Sequence, residues 1–176
     1  MPIHHLKPTM QIAYVKTMMQ IIGRGLVTAN EVDTEIRQEF AALPVGFTLS
    51  MNVFPKGPSF TLQVQENKQL KLLSQSIQKP DLTITFKHLS YAYMVLSFQE
   101  STAQAFANDR MIANGDLSHA VRLVRCLNKM EAIILPKTVA RLAVKEYPKN
   151  LDFKDKMNAA RQIYLKIAQS FLKRSQ

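Results

Sequence analysis

The sequence predicts an α+β fold in which a five-stranded, largely antiparallel sheet has one face covered by helices. Short segments with alternating apolar and polar residues, such as 82–86, are typical of strands that have one buried face. Longer segments with apolar residues three and four positions apart, such as Ile12, Val15 and Met19, are typical of amphipathic helices. Because strands with one apolar face need a covering layer, the two patterns together predict a sheet packed against helices.

Two helices are expected over 9–43. The first should begin after a cap at Thr9, and glycines at 23 and 25 should soften its last turn. The second should begin at Asn30 and end at Pro44. The apolar stripes of the two helices are Ile12, Val15, Met19, Ile22 and Leu26, and then Val32, Ile36, Phe40 and Leu43.

Five strands are expected after these helices. Alternation over 47–53 and 60–65, with a turn between the two segments, predicts a hairpin. A third strand over 69–77 alternates less regularly, so its register stays open, and strands over 81–86 and 110–114 complete the sheet.

The last strand should reach the sheet by a helical crossover. Helices over 87–98 and 101–107 separate the fourth and fifth strands in the sequence. Gly115 permits a tight turn after the fifth strand, and Asp116 can cap the helix that follows.

The segment from about 45 to 136, and most clearly its part 81–136, resembles the sterol carrier protein 2 (SCP2) lipid-transfer family. In that family an Ala-Phe pair leads into a short strand, a Gly-Asp or Gly-Asn turn, and a helix rich in Ala and Leu. Asp109 departs from the family, which often has Gly there, and so does His119, where an apolar residue is usual. The matching residues here are Ala105, Phe106, Met111, Ala113, Gly115, Asp116, Ala120 and Leu123.

The resemblance implies one SCP2-like domain over 1–176, with a core at about 45–136 and a basic helical extension over 137–176. It also implies a non-catalytic carrier that holds a long-chain or isoprenoid lipid, such as a sterol-like, fatty acyl or quinone-precursor ligand, in an apolar cavity. Burying each methylene contributes about 0.8 kcal/mol, so such a carrier needs no catalytic groups. The expected lipid-binding residues are Leu49, Met51, Phe60, Leu62, Ile84, Phe86, Phe98, Phe106, Met111 and Ala113.

Two alternatives stay open within this interpretation. An ordinary filled core would produce the same alternation, because periodicity does not reveal a cavity. The chain is also similar to the SCP2-like accessory proteins of ubiquinone biosynthesis, in the segment from the Gly-Asp turn to Leu135-Pro136. That similarity implies biosynthetic enzymes as partners.

Positive charge is concentrated at the C-terminal end. The net charge is +10, and residues 137–176 contribute ten Lys or Arg against three acidic residues, a balance of 10 − 3 = +7. Peripheral contact with an anionic membrane would use Lys166, Phe171, Lys173 and Arg174. The stripe Phe153, Met157, Ala160, Tyr164, Ile167 and Phe171 has the spacing of a packed helix face, so we expect core packing for it.

A nucleic-acid-binding module is the alternative from another functional class. The sequence pI of about 9.8 motivates it. The sequence carries no recognisable RNA- or DNA-binding motif, and its charges are not interleaved with strand aromatics, so we consider nucleic acid the less favoured partner.

Catalytic, metal and cofactor sites are not expected. The four histidines, His4, His5, His88 and His119, have no ligand spacing with acids or with Cys126. There is no Gly-rich phosphate loop and no nucleophile elbow.

The cysteine content and the charge pattern favour a cytoplasmic protein. A lone cysteine cannot form an internal disulfide, which favours a reducing compartment. Lys7, Lys16 and Arg24 interrupt the apolar residues of the N-terminal segment, so it has no continuous stretch near the ~18 residues that span a bilayer.

Overall fold

The computed structural model describes residues 7–135 and 153–172, and it confirms the α+β fold class with a five-stranded sheet. The described helices are α1 (Pro8–Val32), α2 (Thr34–Ala41), α3 (Leu89–Leu96), α4 (Thr102–Ala107), α5 (Leu117–Ile134) and α6 (Phe153–Leu172). The strands are β1 (Thr48–Val53), β2 (Ser59–Val64), β3 (Leu70–Leu72), β4 (Leu82–Phe86) and β5 (Met111–Asn114).

The sheet has the strand order β3-β2-β1-β4-β5 and is mostly antiparallel. Three of its four pairings are antiparallel, whereas β1 and β4 pair in parallel. The backbone nitrogen and the hydroxyl of Thr48 each donate to Asp81 Oδ2 over 2.8 Å. These hydrogen bonds lower the pKa of Asp81, and the bond from the Thr48 backbone has the largest effect. They also tie the starts of the two parallel strands together.

The inner face of the sheet packs against α1, α3 and α5 to form the apolar core. Helix α1 continues through Gly23 and Gly25 to Val32, so the predicted end of this helix is wrong. A Cβ at Gly25 would lie 2.8 Å from the sulfur of Met130, and a Cβ at Gly23 would lie 3.2 Å from Leu72. These glycines allow neighbouring elements to approach the helix closely.

Two predicted helix caps are also wrong. Thr9 lies inside α1, which begins at Pro8, because proline fits the first position of a helix. Asn30 is buried inside α1, where its Oδ1 accepts a hydrogen bond from the Leu70 nitrogen at 3.3 Å. The cap of α2 is Asp33, which accepts from the Ile36 nitrogen at 2.9 Å. The predicted cap of α5 at Asp116 is confirmed.

Helix α6 packs against α1 and α5 on a face that shares Ala160 and Ile167 with the predicted stripe. Ile163 and Ile167 are buried there, whereas Met157, Tyr164 and Phe171 are exposed. The predicted packing of the stripe is therefore right in part, because the contact with α1 and α5 buries Ile163 and leaves Met157 and Tyr164 exposed. Within the described residues, no helix is long and apolar enough to cross a bilayer.

Candidate functional site

The predicted lipid-binding residues meet, with two exceptions, in the apolar layer between the sheet and the helices. Phe106 is partly buried and packs against this layer. Phe98, which has a φ of +62° after α3, is partly buried and lies outside the buried cluster. Seven of the ten predicted residues are buried within the cluster: Leu49, Met51, Phe60, Leu62, Ile84, Phe86 and Met111.

The second exception is Ala113, which marks an opening of this layer at the edge strand β5. Ala113 lies directly opposite Ile84, so both side chains project from the inner face of the sheet. Ile84 is only 1% exposed, yet Ala113 is exposed. Met111 of the same strand is buried, so the helices cover one end of the inner face of β5 and leave Ala113 exposed at the other.

Two further exposed apolar residues lie on the helix that follows β5. Leu117 and Val121 are one turn apart in the first part of α5 and are 73% and 48% exposed. We define the portal patch as Ala113, Leu117 and Val121. Leu117 and Val121 were not among the residues predicted from the sequence. The signal that could have indicated them is an apolar pair four positions apart that lies outside the core stripe of α5.

A tight turn at Gly115 and Asp116 connects Ala113 to the helix that carries Leu117 and Val121. Gly115 has a φ of +133°, and a Cβ there would lie 2.5 Å from the carbonyl oxygen of Asp81. Asp116 accepts a hydrogen bond from the Ser118 nitrogen at 2.7 Å, which fixes the first turn of α5. The direction of α5 away from β5 is thus set by the backbone.

Ion pairs hold α5 against α2. Lys129 pairs with Asp33 at 3.1 Å and with Glu35 at 2.6 Å, and Arg122 pairs with Glu39 at 2.7 Å. These ion pairs fix the position of α5 along α2.

His119, His88 and Glu100 form packing contacts, hydrogen bonds or ion pairs with neighbouring residues of the fold. The His119 ring packs edge-on against Phe47 at 4.9 Å between centroids, and His88 lies beside Ser90 with Nδ1 and the hydroxyl 3.3 Å apart. Glu100 is buried and pairs with Arg110 at 3.1 Å. Across 7–135 and 153–172, no three His, Cys, Asp or Glu residues form a group that could hold a metal ion.

Cys126 is placed as a core residue. Burial, with a smaller contribution from the charge of Glu39, raises the pKa of its thiol to about 12. The thiol is therefore protonated at physiological pH and is a poor nucleophile.

The predicted membrane-contact residues are only partly covered by the structure. Lys166 forms an ion pair with Glu31. Phe171 lies under the guanidinium of Arg24, 4.1 Å from the ring centroid. Lys173 and Arg174 lie outside the described residues.

The solved structures to which this chain is similar include SCP2 proteins, as the resemblance predicted. No family model and no curated protein matches the sequence. The ubiquinone synthesis protein UbiJ-SCP2 is 16% identical over 69% of this chain and 96% of that chain, with a TM-score of 0.43. Sterol carrier protein domain 2 of Helicoverpa armigera is 21% identical over 67% and 85% of the two chains (TM-score 0.41), and sterol carrier protein 2 like 2 of Aedes aegypti is 15% identical over 56% and 94% (TM-score 0.33). At these identities and TM-scores, the likeness carries no information about a ligand of this chain.

Proposed function

We propose that this chain is a non-catalytic lipid carrier that holds the apolar chain of its ligand between the sheet and the helices. The inner face of the sheet supplies a continuous apolar surface that includes Leu49, Met51 and Ile84. A long hydrocarbon chain gains its affinity from such a surface, at about 25 cal/mol per Å² of apolar area removed from water.

The observation that carries this proposal is the portal patch. An inner-face position that is exposed at the edge of an otherwise buried layer gives an apolar chain a route from solvent to the core. Exposed apolar residues that cluster in this way mark interaction sites more often than isolated ones do. Leu117 and Val121 would contact the ligand as it passes the edge of β5.

The proposal is tested by Ala113→Trp. The added ring should occupy the portal patch and lower the amount of lipid retained after purification several-fold. Because Ala113 is exposed, the fold should still melt cooperatively. Lipid is measured by mass spectrometry of organic extracts, beside a thermal melt of the same sample.

Asn114→Trp is the matched control. Asn114 is the next residue of β5, it is also exposed, and it lies opposite Thr83 on the other face of the sheet. It should retain lipid like the parent. A parent that carries no lipid, or equal losses in both variants, would favour a filled core that acts as an interaction scaffold.

The identity of the ligand belongs to the same proposal. We propose that the ligand is an isoprenoid or other long-chain lipid. The alternative is an accessory role in ubiquinone biosynthesis, which the segment from Gly115-Asp116 to Leu135-Pro136 suggests. In that role the chain would present a polyprenyl quinone precursor to biosynthetic enzymes. The same extracts distinguish these cases, because a polyprenyl quinone precursor and a fatty acyl chain differ in mass.

A further inference from the structure

A groove of about 530 Å³ lies at the β3 edge of the sheet, at the opposite end from the portal patch. Its walls are the middle of α1, strands β2 and β3, the segment 73–76 and the end of α6. A volume of this size suits a small ligand rather than a macromolecule. Phe60 is the residue it shares with the predicted lipid-binding set.

Arg24 is the charged residue of this groove and is held in a fixed orientation. It is 7% exposed, its Nη1 donates to Gln20 Oε1 over 2.7 Å, and its guanidinium lies over the Phe171 ring. A guanidinium fixed in this way presents a planar set of N–H donors, which matches oxyanions better than an ammonium does.

Small polar side chains surround the arginine. Ser59, Ser74 and Ser76 are exposed residues of the wall, and Gln75 adds an amide. Among the described residues that line the groove, none is acidic. Its lining therefore combines a positive charge with several neutral hydrogen-bond donors.

We propose that this groove binds the phosphate group of a small phosphorylated ligand. Phosphate has more acceptor oxygens than a carboxylate, so it can engage the guanidinium and the serine hydroxyls together. This site shares Phe60 with the predicted lipid-binding residues, but the polar groups that would bind phosphate lie at the other edge of the sheet from Ala113. The phosphate could come from a soluble phosphomonoester or from a lipid headgroup, and both present the same oxygens to Arg24.

The test is isothermal titration calorimetry at constant ionic strength, with inorganic phosphate and glycerol 3-phosphate as soluble probes. Arg24→Gln should raise the Kd about tenfold or more. The double variant Ser74→Ala, Ser76→Ala should raise the Kd about threefold. Because both serines are exposed, this variant should still fold, so it can be tested even if Arg24→Gln does not fold. Arg161→Gln, an exposed arginine of α6 outside the groove, is the charge-matched control and should bind like the parent.

Vesicles of phosphatidylcholine, with and without phosphatidic acid, distinguish the two sources of phosphate. Arg24-dependent binding only to vesicles with phosphatidic acid supports a lipid headgroup, and binding of the soluble probes supports a phosphomonoester. Failure of the parent to bind any of these probes overturns the proposal. Equal weakening by Arg161→Gln also overturns it, because general charge attraction would then explain the binding. Ala113→Trp should leave phosphate binding unchanged, so this site and the lipid proposal can fail separately.

Discussion

Glu131 is the titratable residue that is least well accommodated in the described fold. It lies on α5 among apolar residues, and burial raises the pKa of its carboxyl from 4.5 to about 8. No charged partner among the described residues offsets this burial. The folded protein therefore holds Glu131 in its neutral form at pH 7, where a glutamate in an unfolded chain is ionised.

This pKa predicts that Glu131 makes stability fall as the pH rises. Below about pH 4.5 both states are protonated and the residue has no effect. Between pH 4.5 and about 8 the unfolded chain releases the proton while the folded chain keeps it, so the free energy of unfolding falls. Glu131→Gln should remove this dependence and stabilise the protein at pH 8 by about 2–4 kcal/mol, after allowing for partial exposure. Urea unfolding at pH 5 and pH 8 measures both effects.

Glu66→Gln is the control, because Glu66 is an exposed acid in a turn. It should leave the pH dependence of the parent unchanged. If Glu131→Gln loses as much stability between pH 5 and pH 8 as the parent does, the carboxyl is ionised in the fold and this account is wrong.

For individual residues, the sequence predicted the direction of side chains better than their exposure. Period-two alternation placed Ile84, Phe86 and Met111 on the inner face, and all three are buried there. The same pattern placed Ala113 on that face but could not show that the helices cover Met111 and not Ala113. Exposure depends on which helices pack where, which the local pattern does not encode.

Elements were predictable where a local signal determines them and not where a distant contact does. The β1–β2 hairpin and the Asp116 cap follow from alternation and from turn chemistry within a few residues. Asn30 looks like a helix cap in the sequence, but its bond to the Leu70 nitrogen keeps it inside α1. Only 70–72 of the predicted third strand 69–77 pair with β2.

The turn between β5 and α5 predicts a large effect for Gly115→Ala. The φ of +133° is strained for any residue with a Cβ, and that Cβ would meet the Asp81 carbonyl oxygen at 2.5 Å. We expect a loss of about 3 kcal/mol in the free energy of unfolding, from backbone strain and the clash together. Denaturant melts of the purified variant measure it.

Gly46→Ala separates these two causes. Gly46 also has a positive φ, +83°, but nothing lies within 4 Å of the added Cβ. Strain alone should cost about 1 kcal/mol there. Equal losses of stability at the two glycines would show that the contact with the Asp81 carbonyl oxygen adds nothing to the cost of a side chain at Gly115.

The whole molecule combines an apolar interior with an uneven distribution of charge. The parallel pairing of β1 with β4 was not predicted, because the alternation within a strand does not determine which edge of the sheet that strand joins after β2 and β3, or in which direction. Charge at the C-terminal end was countable from the sequence, but the pairing of Lys166 with Glu31 was not. That pairing places one of the predicted membrane-contact residues in a structural role, and leaves Lys173 and Arg174 as the basic residues to test on a surface.

The last prediction separates an anionic membrane from nucleic acid as the partner of this basic end. Both attractions weaken with salt, so competition has to decide between them. Lys173→Glu with Arg174→Glu should weaken binding to anionic liposomes about thirtyfold or more, since each basic residue near the surface contributes about 1 kcal/mol and about 1.4 kcal/mol is tenfold. Short RNA should not displace the liposomes from the parent. Lys56→Glu with Lys79→Glu, two exposed lysines elsewhere on the chain, makes the same change in net charge and should have a smaller effect. If RNA binds more tightly than liposomes at physiological salt, the basic end is a nucleic-acid surface and the membrane assignment fails.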